Sequence, residues 1–172
     1  MRDIPALLDY LEAEARDHAR WTPRRTGEDT AAHWRKALPL REKDRREGRG
    51  LVLYLFLKGK PREIVGHASL SNIVRGAFQA CHLGYALRKG HEGKGLMTEA
   101  LRAVLRHAFG PMGLHRVMAN HMPANRRSAR VLKGLGFRRE GLAKNYLRIA
   151  GRWEDHVLTS LVNPRWKPPP TG

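Results

Sequence analysis

The chain of 172 residues reads as an α+β domain. Two stretches and one pattern predict this. Residues 84–105 run from a short apolar strand into a loop with glycines at 90, 93 and 95, and from there straight into a helix. Residues 125–135 carry the cap, apolar face and stop signal of a second helix. Around both, strand-like segments separated by turn residues follow one another in meander order, so helices are expected to pack on a mixed sheet.

Taken in order, residues 3–20 place Ile4, Leu7, Leu8, Leu11 and Ala15 on one helical face, and Trp21-Thr22-Pro23 ends that helix. Residues 28–48 predict a second helix interrupted near Pro39, because proline lacks the N–H an interior turn needs. Its charged end, 41–49, alternates in sign and reads as a solvated face, stopped by Gly48 and Gly50. Residues 51–58 are apolar on both faces, which predicts a central strand. Lys58-Gly59-Lys60-Pro61 makes a hairpin turn, and 63–74 and 77–87 form an antiparallel pair around Arg75-Gly76.

The helix at 95–109 follows, with Met97, Ala100, Leu101, Val104, Leu105 and Ala108 spaced along one face; Gly110-Pro111 ends it. A strand is expected at 116–122. In the helix at 125–135, Asn125 can cap, Ser128, Val131, Leu132 and Leu135 face inward, and Gly136 suits the left-handed position past the end. Strands at 137–149 and 152–162 turn at Ala150-Gly151. Residues 1–163 are expected to be a single domain, and 164–172 a proline-rich, flexible tail.

The glycine loop has the build of a phosphate cradle. Glycines leave backbone N–H groups uncovered, and the helix dipole adds partial positive charge at the same place. The spacing G-x-x-G-x-G is not the dinucleotide fingerprint, and no Gly-Lys-Ser/Thr ends it as in a Walker loop. A plain tight turn between strand and helix is the alternative.

Lys and Arg number 33 against 16 Asp and Glu, a formal net charge of +17. Such a surface attracts polyanions, and a contact with ribosomal RNA is one reading; arginine richness in an enzyme with an anionic cofactor is the other. The longest apolar run, 51–57, is too short to span a membrane, and residues 1–20 lack a signal-peptide layout. The lone Cys81 excludes an internal disulfide and fits a reducing compartment, so a cytoplasmic protein is expected. No Cys/His set has zinc spacing, and His115 and His121 make a poor metal pair, so no metal is expected.

Together, E-G-K-G-L-M at 92–97 and the pattern N-x-x-S-x7-G-F at 125–137 resemble the GNAT superfamily of acetyl-CoA-dependent N-acetyltransferases. The stretches at 71–87, 93–101, 115–132, 135–147 and 151–161 look like its Rim-type branch, which acetylates the N-terminal alanine of a ribosomal protein. The match covers most of 50–166 and is weaker, though in register, over 1–49. The resemblance implies a mostly antiparallel sheet whose splayed central strands admit the acetyl-pantetheine. Members of the family usually begin with a strand before the first helix, whereas this chain starts at the helix: either the sheet lacks that edge strand or the gene start was chosen downstream.

Acetyl transfer to an amine needs a neutral amine, a polarised carbonyl and a proton for the leaving thiolate. A peptide α-amine has a pKa of roughly 7.7–8.0, so a water relay can serve as base. By resemblance, Ser128 is the candidate acid; a serine bonded to the backbone of its own first turn is the alternative. His82 stands where relatives often carry Glu and could take the amine's proton, or simply pack between strands. Asn120 stands where another branch has its base and could orient water or substrate. Asp155 could reach the amine or serve the structure.

For acetyl-CoA, the backbone of Leu87 and Arg88 is expected to meet the pantetheine, and Asn125 to bond to the same arm. The amides of Gly93, Lys94, Gly95, Leu96, Met97 and Thr98 are expected to face the pyrophosphate. Glu92 is unfavourable there unless it turns outward. Tyr146 and Trp153 are expected to wall the acceptor slot, together with residues 21–30. The implied function is transfer of an acetyl group to the N-terminal alanine of a ribosomal protein, by a monomer or dimer with no membrane contact. The alternatives are the same chemistry on another protein, a polyamine or an antibiotic, and a non-catalytic RNA-binding module.

Overall fold

The computed structural model describes residues 3–23 and 27–168. Two helices, α1 (Ile4–His18) and α2 (Ala31–Arg46), precede the hairpin β1 (Leu51–Leu57) and β2 (Lys60–Val74). Next come β3 (Ala80–Leu87), α3 (Leu96–Phe109), β4 (Arg116–Met118), α4 (Arg126–Gly134), β5 (Arg138–Ile149) and β6 (Arg152–Val162). One six-stranded sheet has the order β1-β2-β3-β4-β6-β5. Every neighbouring pair is antiparallel except β3 and β4.

Period-2 alternation sends Cys81 and Leu83 to one face of β3 and His82 and Gly84 to the other. On the first face, the apolar stripe of α3 (Met97, Leu101, Val104, Leu105, Ala108) and Leu132 of α4 pack on Ala68, Leu70, Cys81, Leu83 and Val117. Leu101 is fully buried, so its truncation to Ala costs about 2–5 kcal/mol. On the opposite face, Ile4, Leu7 and Tyr10 of α1 join Trp34 of α2, Ile64 and Tyr54.

Two expectations are corrected. β1 is an edge strand, not a central one. Its residues are apolar on both sides because Leu51 and Leu55 serve the main core while Tyr54 serves the helical layer. Leu53 and Phe56 are left 40% and 43% exposed. The second correction is α2, which runs through Pro39 unbroken. Thr30 caps it by accepting from the His33 amide, Trp34 anchors it in the core, and Glu42 pairs with Arg45 and Arg46 in its last turn. The carbonyl that Pro39 leaves without an intrahelical donor belongs to exposed Arg35, where solvent can take it.

The hairpin between β5 and β6 turns at Ala150 and Gly151, with φ of 49° and 85°, the conformation a two-residue type I′ turn demands. Further down, the register of β5 slips between Ala143 and Leu147 around Asn145, whose φ is 49°. In the tail, Trp166 donates its indole N–H to the Gly113 carbonyl at 3.0 Å and meets His115 edge-on. Residues 169–172 lie outside the described part.

Candidate active site

The site begins where two strands part. β3 and β4 pair through only three residues, Ala80, Cys81 and His82 with Arg116, Val117 and Met118. Beyond His82, β3 continues to Leu87 with no strand partner on that side. A cavity of about 1090 Å³ occupies the gap and reaches both faces of the sheet. On the α3/α4 side its lining includes Gly93, Gly95, Leu96, Met97, Thr98, Asn125 and Ser128. On the other side it is lined by His18, Trp21, Asn120, Leu147 and His156.

The glycine loop is shaped as its composition suggests. Gly93 and Gly95 have φ of +76° and +78°, and a Cβ at either would meet nothing within 4 Å, so open space lies over the backbone. Gly95 is the N-cap of α3, and the first amides of the helix follow it. Glu92 also lines this space, but both of its carboxylate oxygens are engaged. One carboxylate oxygen accepts from the Gly90 amide at 3.3 Å and the other meets Arg127 at 2.6 Å. Lys94 folds back to the Gly90 carbonyl at 3.0 Å.

Ser128 sits in the first turn of α4. Asn125 Oδ1 accepts from the Ser128 amide at 3.1 Å and caps the helix. This leaves the Ser128 hydroxyl out of the backbone of its own turn. Its Oγ lies 2.8 Å from the Tyr85 hydroxyl instead. Burial pushes the Tyr85 pKa up to about 12, a rise that the bond to Ser128 only partly offsets, so the phenol is neutral. Tyr85 was missed at the level of sequence because its place on an apolar strand looks like ordinary core.

The other expected residues divide. Asn120 lines the cavity but is committed at both ends: its amide nitrogen donates to Tyr146 at 3.1 Å and its oxygen accepts from the Thr159 amide at 3.3 Å. Leu87 lines the cavity, and its carbonyl accepts from His18 Nε2 at 2.8 Å. Arg88 is directed elsewhere, its amide donating to Val65 O and its guanidinium to Asp9, each at 2.8 Å. His82 is outside the lining of the cavity; it faces away from the α3 core, its Nδ1 is buried without a partner, and burial lowers its pKa.

Asp155 is structural. It accepts from the Asn145 amide at 3.0 Å and holds Lys144 at 2.7 Å, and these bonds keep its carboxyl below the usual range. It thus props the irregularity in β5 that brings Tyr146 to Asn120 and against His156. Of the two aromatics expected at the slot, Tyr146 is therefore beside it, whereas Trp153 is 62% exposed on the hairpin. Of the expected wall at 21–30, Trp21, Thr22 and Pro23 line the cavity. Residues 24–26 of the expected wall lie outside the described part. Among the described residues no His/Cys/Asp/Glu cluster could hold a metal, and no helix is long and apolar enough to cross a membrane.

A ligand with a pyrophosphate and an amide-bearing arm makes use of both halves of this site, the amides at the start of α3 and the free edge of β3. Fold and site together define a coenzyme A-dependent acyltransferase. The chain belongs to the GNAT family: the model of the acetyltransferase (GNAT) domain matches residues 1–138. It is an N-acetyltransferase and uses acetyl-CoA. The chain is 42% identical over 168 residues to the ribosomal protein uS5-alanine N-acetyltransferase of Escherichia coli (strain K12), covering 97% of this chain and 86% of the relative. Among solved structures it superposes with a TM-score of 0.90 on the ribosomal-protein-S5-alanine acetyltransferase of Vibrio fischeri, at 37% identity over 95% of this chain and 89% of the other. RimJ of Mycobacterium smegmatis, solved in complex with CoA-disulfide, gives a TM-score of 0.84 at 32% identity, covering 94% and 78%.

Proposed function

We propose that this protein transfers the acetyl group of acetyl-CoA to the α-amine of an N-terminal alanine on a ribosomal protein. The observation that carries the reading is a likeness, over nearly the whole chain, to enzymes named for that reaction. The geometry supports it. The amides of Gly93 to Thr98 receive the pyrophosphate, with Asn125 and the free edge of β3 beside the arm. Ser128 protonates the departing thiolate. The amine enters from the opposite face, between Trp21, His18 and the pair Asn120–Tyr146. An entrance walled by those side chains would suit an extended chain end with a small first residue.

The net charge of +17 favours an acceptor presented beside RNA over a free polycation. A panel of peptides, assayed for thiol release, tests the reading. Peptides beginning with Ala are expected to react far faster than those beginning with Leu, and lysine side chains poorly. Equal rates on α- and ε-amines would overturn it.

A further inference from the structure

The acid has a neighbour that decides where its proton points. Ser128 Oγ and Tyr85 Oη are 2.8 Å apart, and each hydroxyl has one hydrogen. If Ser128 donates to Tyr85, its proton is turned into the protein and is withheld from the cavity. If Tyr85 donates to Ser128, the serine proton is free to point into the space that both side chains line. The phenol also stands 3.4 Å from the Ser128 carbonyl, a longer and weaker alternative for the same hydrogen. Tyr85 is held in place from below: its ring packs against the main core, which includes Leu83, Met97 and Leu101, and its neutral hydroxyl is a competent donor.

We propose that Tyr85 is a positioning residue for acetyl transfer, donating its hydroxyl hydrogen to Ser128 Oγ so that the serine proton faces the leaving sulfur. When the amine nitrogen bonds to the acetyl carbon, the C–S bond breaks and its electron pair leaves on sulfur. Ser128 passes its proton to that sulfur and regains one through solvent in the cavity. The amine's surplus proton goes to solvent, so the proton count closes. Tyr85 keeps its own hydrogen throughout; donating to an oxygen that becomes partly anionic, its bond strengthens as the serine proton departs. This deepens the reading of Ser128 as the acid and rests on it.

The test is a cycle of Tyr85→Phe, Ser128→Ala and the double variant, each assayed with whichever amine the wild type acetylates fastest, so the result does not hang on the acceptor. Ser128→Ala is expected to lower kcat by roughly 10²–10⁴-fold, the usual reach of a general acid. Tyr85→Phe keeps the ring and is expected to lower kcat roughly 5- to 20-fold, the rate equivalent of one hydrogen bond. Acetyl-CoA affinity by calorimetry and the melting temperature should stay close to wild type. In the Ser128→Ala background, Tyr85→Phe should have no further effect on kcat. An unchanged or raised kcat in Tyr85→Phe would overturn the proposal, as would equal losses in both backgrounds. If Ser128→Ala itself turned over normally, the acid assignment would fall and the Tyr85 role with it. Failure of alanine peptides to react with the wild type would instead count against the acceptor alone.

Discussion

Arg127 Nη1 lies 2.6 Å from Glu92 Oε1, joining the first turn of α4 to the glycine loop that leads into α3. The pair answers a problem set by the sequence: a carboxylate next to a pyrophosphate site repels its ligand. Arg127 is 72% exposed at its side chain, so the bridge adds little to stability. Its consequence lies in binding. Arg127→Ala leaves Glu92 uncompensated and should weaken acetyl-CoA severalfold. Glu92→Gln releases the guanidinium towards the phosphates and should tighten it. Both effects should shrink as salt rises, and calorimetry at two ionic strengths reads them.

Gly95→Val should separate fold from cradle. At φ +78° a β-branched residue is strained although the space around it is open. A loss of stability of about 1–2 kcal/mol is expected, read from thermal unfolding. The valine side chain would also fill the open space over Gly95 that the proposed cradle offers to the pyrophosphate, so acetyl-CoA should bind more than roughly tenfold weaker. A folded variant with unchanged affinity would remove the cradle assignment.

Asp155→Ala should act at a distance. Asp155 is not part of the cavity lining, yet it props the irregularity that positions Tyr146. The expected outcome is a severalfold rise in KM for the acceptor peptide with acetyl-CoA affinity unchanged. Steady-state kinetics with each substrate varied in turn checks it.

His82 makes a pH prediction. Burial lowers its pKa below the ordinary 6.5, so the folded protein holds the ring neutral while the unfolded chain protonates it. Stability from this group is therefore present above pH 6.5 and is lost as pH falls below that value. The carboxyls of Glu140 and Asp155, with pKa values below 4.5 and 3.8, lose their contribution only in more acid solution. Melting curves between pH 7.5 and 5 should show a decline that is flatter in His82→Gln than in wild type.

What was legible in the sequence follows from range. The glycine loop, α3, the Asn125 cap and the Ala150-Gly151 turn announce themselves locally, since each rests on residues a few positions apart. The edge position of β1 does not, because strand order is a long-range property and 51–57 is apolar on both sides for reasons of layering. Tyr85 and Ser128 are 43 residues apart, and nothing near either one marks the other. His18, which the sequence did not mark, reaches the cavity because α1 packs against β2 and β3. The bonds of Asp155 were hidden by the same means: its partners sit across a hairpin, at 144 and 145.

The most direct measurement of the central claim is mass spectrometry of unacetylated ribosomal proteins incubated with this protein and labelled acetyl-CoA. The account predicts label on the α-amine of a protein that begins with alanine, and its loss with Ser128→Ala. Label confined to lysine side chains, or no transfer to any ribosomal protein by an enzyme that acetylates another class of amine, would contradict it.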